Sequence, residues 1–416
     1  MTVFVLTFIL IISGLSGQKL LIPMDQEQND HLKAYGIAYY ILTRNVNVEW
    51  LLNYRGGSFL VDDHPFIQAE CRIRGVSILQ ISDEIIDIYA TIEENNMDIA
   101  LLEKAPKIAI YTPPSKQPWD DAVTLALTYA EVRYETLWDE EVLNGELPEY
   151  DWLHLHHEDF TGQYGKFYRN YHNAQWYIDQ KRQFENMARQ FRFPSVHEEK
   201  KTVSRAIKAF GGNGGFLFAM CSATDSYDIS LTLENIDGVH QVFDGSPIDP
   251  NVQQKLDFSK SLTFTDFKLY TDPMIYEFSD IDFPPSHNPV TRGAEADYFS
   301  LFEFSAKYDP VPTMLTQNHV AVVKGFMGQT TGFHRQRIKK HVVIMGEDPA
   351  SEQIKYLHGN FGKGTFTFYG GHDPEDYQHF VGDPPTDLSL HRNSPGYRLI
   401  LNNILFPAAR KKERKT

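Results

Sequence analysis

Short, strongly apolar runs recur along this chain, separated by stretches whose apolar residues fall at helical spacing. The runs at 19–24, 48–54, 76–81, 107–111, 133–138, 151–156, 215–220, 341–345 and 364–369 read as strands. Helical stripes lie between them, among them Leu32, Tyr35, Tyr39 and Leu42, then Val203, Ala206, Ile207 and Phe210. Another stripe, Tyr397, Ile400, Leu401, Ile404 and Leu405, closes the pattern. Strand–helix alternation predicts an α/β fold, a parallel sheet with helices on its faces. The alternation restarts near residue 105 and lapses over 240–335, where Pro, Phe and Tyr are dense. The expected organisation is an N-terminal α/β unit of βαβ type over 18–104 and a second α/β domain from 105–239 and 336–410. A mixed, aromatic-rich insertion fills 240–335, and a basic tail occupies 411–416.

At 416 residues the chain has room for two or three domains. Its 39 Lys+Arg against 55 Asp+Glu, net −16, argue against a nucleic-acid partner, which needs clustered cations. The run at 3–12 is apolar but shorter than the ~20 residues that span a bilayer. Ser13 to Gly17 then supply small residues, so 1–17 resembles a signal peptide cut near Gly17. The expectation is an exported, periplasmic protein with no membrane span in the mature chain. Two cysteines, Cys71 and Cys221, are too few for a disulfide scaffold or a thiolate zinc site.

The run at 215–220 leads straight into Cys221, with the small residues Ala219 and Ala223 two positions either side. A nucleophile on a strand-to-helix turn sits in strained backbone and needs such small neighbours. A helix starting at Ser222 would aim its N–H groups at the thiol and at an oxyanion. The competing reading is a core cysteine behind a hydrophobic strand. His372, in Gly370-Gly371-His372, follows the run at 364–369. Parallel strands end on one shared edge, so His372 and Cys221 should meet there. A Cys–His pair held by a carboxylate suits acyl transfer, with Glu375 the first choice for that carboxylate and Asp373 the second.

Alternation places His154 and His156 on one strand face, with His157 and Glu158 at the strand end. Neighbouring strand positions do not complete a metal shell without a third ligand from elsewhere, so neither metal nor cofactor is expected. His156, His157 and Ser222 are assigned instead to substrate and oxyanion binding, with Gly162 of the following loop. Arg55-Gly56-Gly57 reads better as a plain turn than as an anion site.

The order strand–Cys221, then a late strand and Gly-Gly-His372-x-x-Glu375, resembles the class I glutamine amidotransferase-like fold. Gly359 through His372 is similar to its ThuA-like branch. Leu21-Ile22-Pro23-Met24-Asp25, Trp50 through Gly57, and Thr367 through His379 resemble, over nearly the whole mature chain, a bacterial family commonly labelled asparagine synthetase B. Two departures stand out: alanines replace the glycines flanking the nucleophile, and two residues, not one, separate His372 from Glu375. The ATP-binding Ser-Gly-Gly-x-Asp-Ser loop of a synthetase is absent from the sequence. The resemblance implies a flavodoxin-like sheet and a cysteine hydrolase or amidase acting on an amide or ester of a small-molecule or cell-envelope substrate. The alternatives are a non-catalytic carbohydrate- or cell-wall-binding protein using the aromatic insertion, and a ThuA-like, metal-assisted, sugar-acting enzyme centred on His154, His156 and His372.

Overall fold

The computed structural model describes residues 18–114, 121–283, 298–309, 320–324, 328–376 and 384–409. The expected leader (1–17) and basic tail (411–416) lie outside the described residues. The chain folds as mixed α/β, with one antiparallel sheet and one sheet of parallel and antiparallel strands.

The N-terminal sheet holds β1 (Lys19–Ile22), β2 (Val48–Leu52), β3 (Ser58–Asp62), β4 (Leu79–Ile81) and β5 (Asp98–Leu102), in the order β4-β1-β3-β2-β5. Every pairing in it is antiparallel, against the expected parallel unit. The cause is the connection between β2 and β3. Asn53, Arg55, Gly56 and Gly57 all take positive φ there and reverse the chain within a few residues, whereas a parallel partner needs a long crossover. β3 thus inserts between β1 and β2, a split βαβ arrangement.

Alternation then sorts the side chains. Leu20, Ile22, Trp50, Leu52, Phe59 and Val61 face the main core with helices His31–Thr43 and Pro65–Arg74, while Leu21, Leu51 and Leu60 face helix Ile85–Glu94. Each of the first two helices starts where its sequence says: Asp30 accepts the Lys33 N–H as N-cap, and Pro65 opens the second, which Gly75 (φ 73) closes.

The larger sheet is built from β6 (Ile108–Tyr111), β7 (Glu135–Leu137), β8 (Trp152–Leu155), β9 (Phe216–Met220), β10 (Tyr298–Leu301), β11 (Val322–Lys324), β12 (Phe333–His334), β13 (Val343–Asp348), β14 (Gln353–Phe361) and β15 (Gly364–Tyr369). Its order is β11-β10-β13-β14-β15-β9-β8-β6-β7, with β12 beside β14. The block β7-β6-β8-β9-β15 is parallel, and β14, β13, β10 and β11 extend it antiparallel. Strands of the 240–335 segment therefore join the main sheet rather than standing apart. β14, the longest strand of this sheet, escapes a hydrophobic-pattern reading because buried Gln353, Lys355 and His358 interrupt its apolar residues.

Helices Val196–Gly212 and Ser222–Thr232 cover one face of this sheet, and Ala122–Tyr129 and Pro395–Leu405 the other. The last of these ties the two sheets together. Its fully buried Arg398 donates to the Met24 carbonyl (3.2 Å) and the Gly56 carbonyl (2.8 Å). Arg55 meanwhile pairs with Asp25 (2.6 Å) and Glu27 (2.7 Å). The Arg55–Gly57 turn thus serves the interface between the sheets. No helix among the described residues is long and apolar enough to cross a membrane.

Candidate active site

Tyr111, Leu155, Met220 and Tyr369 end β6, β8, β9 and β15 along one edge of the parallel block, the last two one position beyond the first two in register. Cys221 follows β9 and caps helix Ser222–Thr232 with φ 53 and ψ −139, outside the common regions for a residue with a Cβ. Its own N–H donates to the Tyr369 carbonyl (3.2 Å), pinning the elbow to the neighbouring strand. Ala219 and Ala223 are fully buried beside it, so side chains with more bulk have no room.

Cys221 is 3% exposed, and its sulfur accepts the Gln329 N–H at 3.3 Å. Burial pushes the thiol up to about 11, and the N–H groups of Thr330, Ser222 and Gln329 offset only part of this. Cys221 therefore rests as a neutral thiol. Cys71 lies buried in helix Pro65–Arg74, its thiol pushed up to about 12 by burial, and both cysteines are free.

His372 stands beside Cys221. A Cβ placed on Gly328 would lie 3.1 Å from Cys221 Sγ and 3.1 Å from His372 Cβ, so the two side chains flank one glycine. His372 Nε2 is 2.9 Å from His157 Nδ1. The His157 carbonyl accepts the Ser222 hydroxyl (2.8 Å), which locks the β8 end against the elbow. Next in line, the His156 and His157 rings lie 3.7 Å apart between centroids. Burial lowers His156 to about 4, so its ring is neutral near pH 7.

Asp121, the N-cap of helix Ala122–Tyr129, completes the row: its Oδ1 lies 3.0 Å from His154 Nε2, and its Oδ2 accepts the Thr124 N–H at 2.9 Å. Burial works against its charge, but the neighbouring His154 and His156 rings hold this carboxyl below the usual range.

The carboxylates expected to orient His372 are engaged elsewhere. Glu375 accepts the Ser394 hydroxyl and pairs with His391 at 3.3 Å. Asp373 accepts from Tyr397 (2.8 Å), Thr386 (2.8 Å) and the Glu375 N–H (2.9 Å). Both carboxylates fasten the chain entering the last helix. The ring that meets His372 Nε2 belongs to His157.

Gly162 (φ 81) is likewise placed by packing: a Cβ there would lie 2.8 Å from the His197 nitrogen. Its loop is wound about Asp159, which accepts the N–H groups of Thr161, Gln163 and Gly165. Ser222 meets His157 at the elbow, and the His156 ring packs on that of His157.

Three features escape the sequence reading. Asp121 follows β6 on the same edge that singled out His372, so the edge rule applied to every parallel strand would have found it. Gly328–Thr330 arrives from the segment read as an insertion and carries only a short polar, Gly-containing signal. The third is a pair of buried acids that hold this loop. Asp225, pushed up to about 7 by burial, accepts the Thr330 hydroxyl at 3.0 Å, and Asp282 accepts the Thr331 N–H at 3.2 Å.

No protein-family model and no curated protein matches the chain. Among solved structures it is similar to Cytoplasmic Protein STM3548 from Salmonella typhimurium, at 11% identity and TM-score 0.36 over 73% of this chain and 100% of that one. A likeness of the same order is to Cytoplasmic Protein STM1381 from Salmonella typhimurium LT2, at 9% identity and TM-score 0.35 over 73% and 100%. A beta-galactosidase from Bacillus circulans sp. alkalophilus follows at 10% identity and TM-score 0.25, over 71% of this chain and 32% of that one. At these scores the likenesses carry no argument about fold or chemistry.

Proposed function

We propose that the protein is a cysteine-dependent hydrolase or amidase with Cys221 as nucleophile and His372 as the proton-transfer group. The observation that carries this reading is a cysteine at φ 53 on a strand-to-helix elbow, its sulfur accepting a main-chain N–H and flanked by a histidine from a distant strand. The parallel order β7-β6-β8-β9-β15, with Cys after β9 and His after β15, supports a flavodoxin-like, class I glutamine amidotransferase-like arrangement and kinship with the family labelled asparagine synthetase B. The reading replaces Glu375 with His157 as the group that orients His372.

In the reaction, His372 takes the thiol proton as Sγ bonds to the carbonyl carbon of an amide or ester. The N–H groups around the sulfur, Ser222 at the helix start among them, face the negative charge that develops. His372 then gives the proton to the leaving amine or alcohol as the bond to carbon breaks, leaving a thioester. Water, deprotonated by His372, attacks the thioester and releases the acid and the thiol.

The test is a panel of amide and ester substrates with wild type, Cys221→Ser and His372→Ala, together with mass spectrometry for a thioester on Cys221. Each variant should lose at least ~100-fold in turnover. Full turnover by Cys221→Ser on every accepted substrate would end the proposal.

A further inference from the structure

We infer that Asp121, His156 and His157 form a binding site for one divalent transition-metal ion of the zinc type. One ligand atom from each lies within 4.8 Å of the other two. Some point is then within about 2.8 Å of all three, against the ~2.0–2.2 Å of bound zinc, so contraction by less than an ångström closes the site. Two imidazoles and a carboxylate are the donor set zinc prefers over calcium or magnesium. A third ligand from elsewhere in the chain is what the His-rich strand lacks on its own, and the tertiary fold supplies it in Asp121.

Two further observations point to a ligand. His156 is 5% exposed, and its Nδ1 has no hydrogen-bond partner among the described residues, although a buried polar atom normally has one. The surroundings also match the outer contacts of a metal site, in which ligands are held by second hydrogen bonds. His154 fixes Asp121 at 3.0 Å, with its own Nδ1 3.3 Å from the Phe218 carbonyl, and His372 Nε2 lies 2.9 Å from His157 Nδ1. Three protein ligands leave a coordination position open, as in catalytic rather than structural zinc sites. That position would lie on the same sheet edge as Cys221, and the site stands on its own ligands, independent of the hydrolase reading.

The experiment titrates chelator-treated full-length protein with Co²⁺, followed by visible d–d absorption, with Zn²⁺ as competitor. Wild type should bind one equivalent, displaced by Zn²⁺ and without a sulfur-to-cobalt charge-transfer band. Asp121→Asn and His156→Ala should weaken binding at least ~100-fold with unchanged far-UV circular dichroism, and His154→Asn by ~10–100-fold. Cys221→Ala should keep the full equivalent while losing hydrolysis, so failure of either reading is visible without the other. Zn²⁺ should also raise the Tm of wild type, a readout that needs no variant. Substoichiometric Co²⁺ binding by wild type, undiminished binding by both ligand variants, a thiolate charge-transfer band, or a Tm indifferent to Zn²⁺ would each overturn the site.

Discussion

Alkylation of Cys221 by a neutral electrophile reports directly on whether its sulfur rests as thiol or thiolate. Burial raises this thiol from 9.0 to about 11, which lowers the thiolate fraction near neutral pH by about 100-fold. At pH 7 about one sulfur in 10⁴ is then ionised. The assay is iodoacetamide labelling of native protein between pH 6 and 10, with each site located by mass spectrometry and urea-unfolded protein as reference. The native rate should climb about tenfold per pH unit up to pH 10 without a plateau. At pH 8 it should be at least ~100-fold below the unfolded rate. Cys71, fully buried and pushed up to about 12, should label more slowly still. His372→Ala should change the Cys221 rate less than about threefold, because a neutral thiol owes the resting imidazole no ion pair. A labelling plateau at pH 6–7 that disappears in His372→Ala would refute this, and would mean that the two residues rest as thiolate and imidazolium.

Three other outcomes follow from the geometry. Glu375→Gln should keep turnover within about threefold of wild type while lowering Tm, since the carboxylate serves Ser394 and His391; a loss as large as that of His372→Ala would restore it as the orienting group. Lys200 donates to both Asp139 oxygens (3.0 and 2.8 Å) and to Tyr111 (2.8 Å), with Lys200 and Asp139 fully buried. Lys200→Met should cost about 3–5 kcal/mol in urea unfolding by stranding the Asp139 charge, and Asp139→Leu added to it should recover part of the loss; a cost under ~1 kcal/mol would contradict this. Burial pushes Asp225 up to about 7 and Glu199 to about 8, so the folded chain keeps protons there that the unfolded chain has already released. Their contribution to stability is complete below the ordinary carboxylate range and lost as pH rises through these values. Urea midpoints should therefore fall between pH 7 and 8.5, above the range where buried neutral histidines matter, and Asp225→Asn should flatten the fall; a rise over that window would count against it.

Much of the site is legible one element at a time. The apolar run before Cys221, the small residues around it and the helix-forming stretch after it decide the elbow locally, because backbone strain and steric room involve only adjacent residues. His372 was placed by a rule almost as local, that parallel strands deliver their ends to one edge. Strand–helix alternation, by contrast, misleads for the N-terminal unit, where a run of positive-φ residues between β2 and β3 reverses the chain and makes the sheet antiparallel. It also gave no account of Gly328–Thr330, whose hold on the sulfur depends on two buried acids from other segments.

The amino-acid order alone thus determined that Cys221 and His372 follow neighbouring strands onto one sheet edge, since periodicity encodes which side chains are buried and where strands stop. Only the folded chain decided who partners whom. His157 rather than Glu375 meets His372, and Asp121 joins the histidines after β8, because those choices turn on distances between atoms that lie up to hundreds of residues apart along the chain.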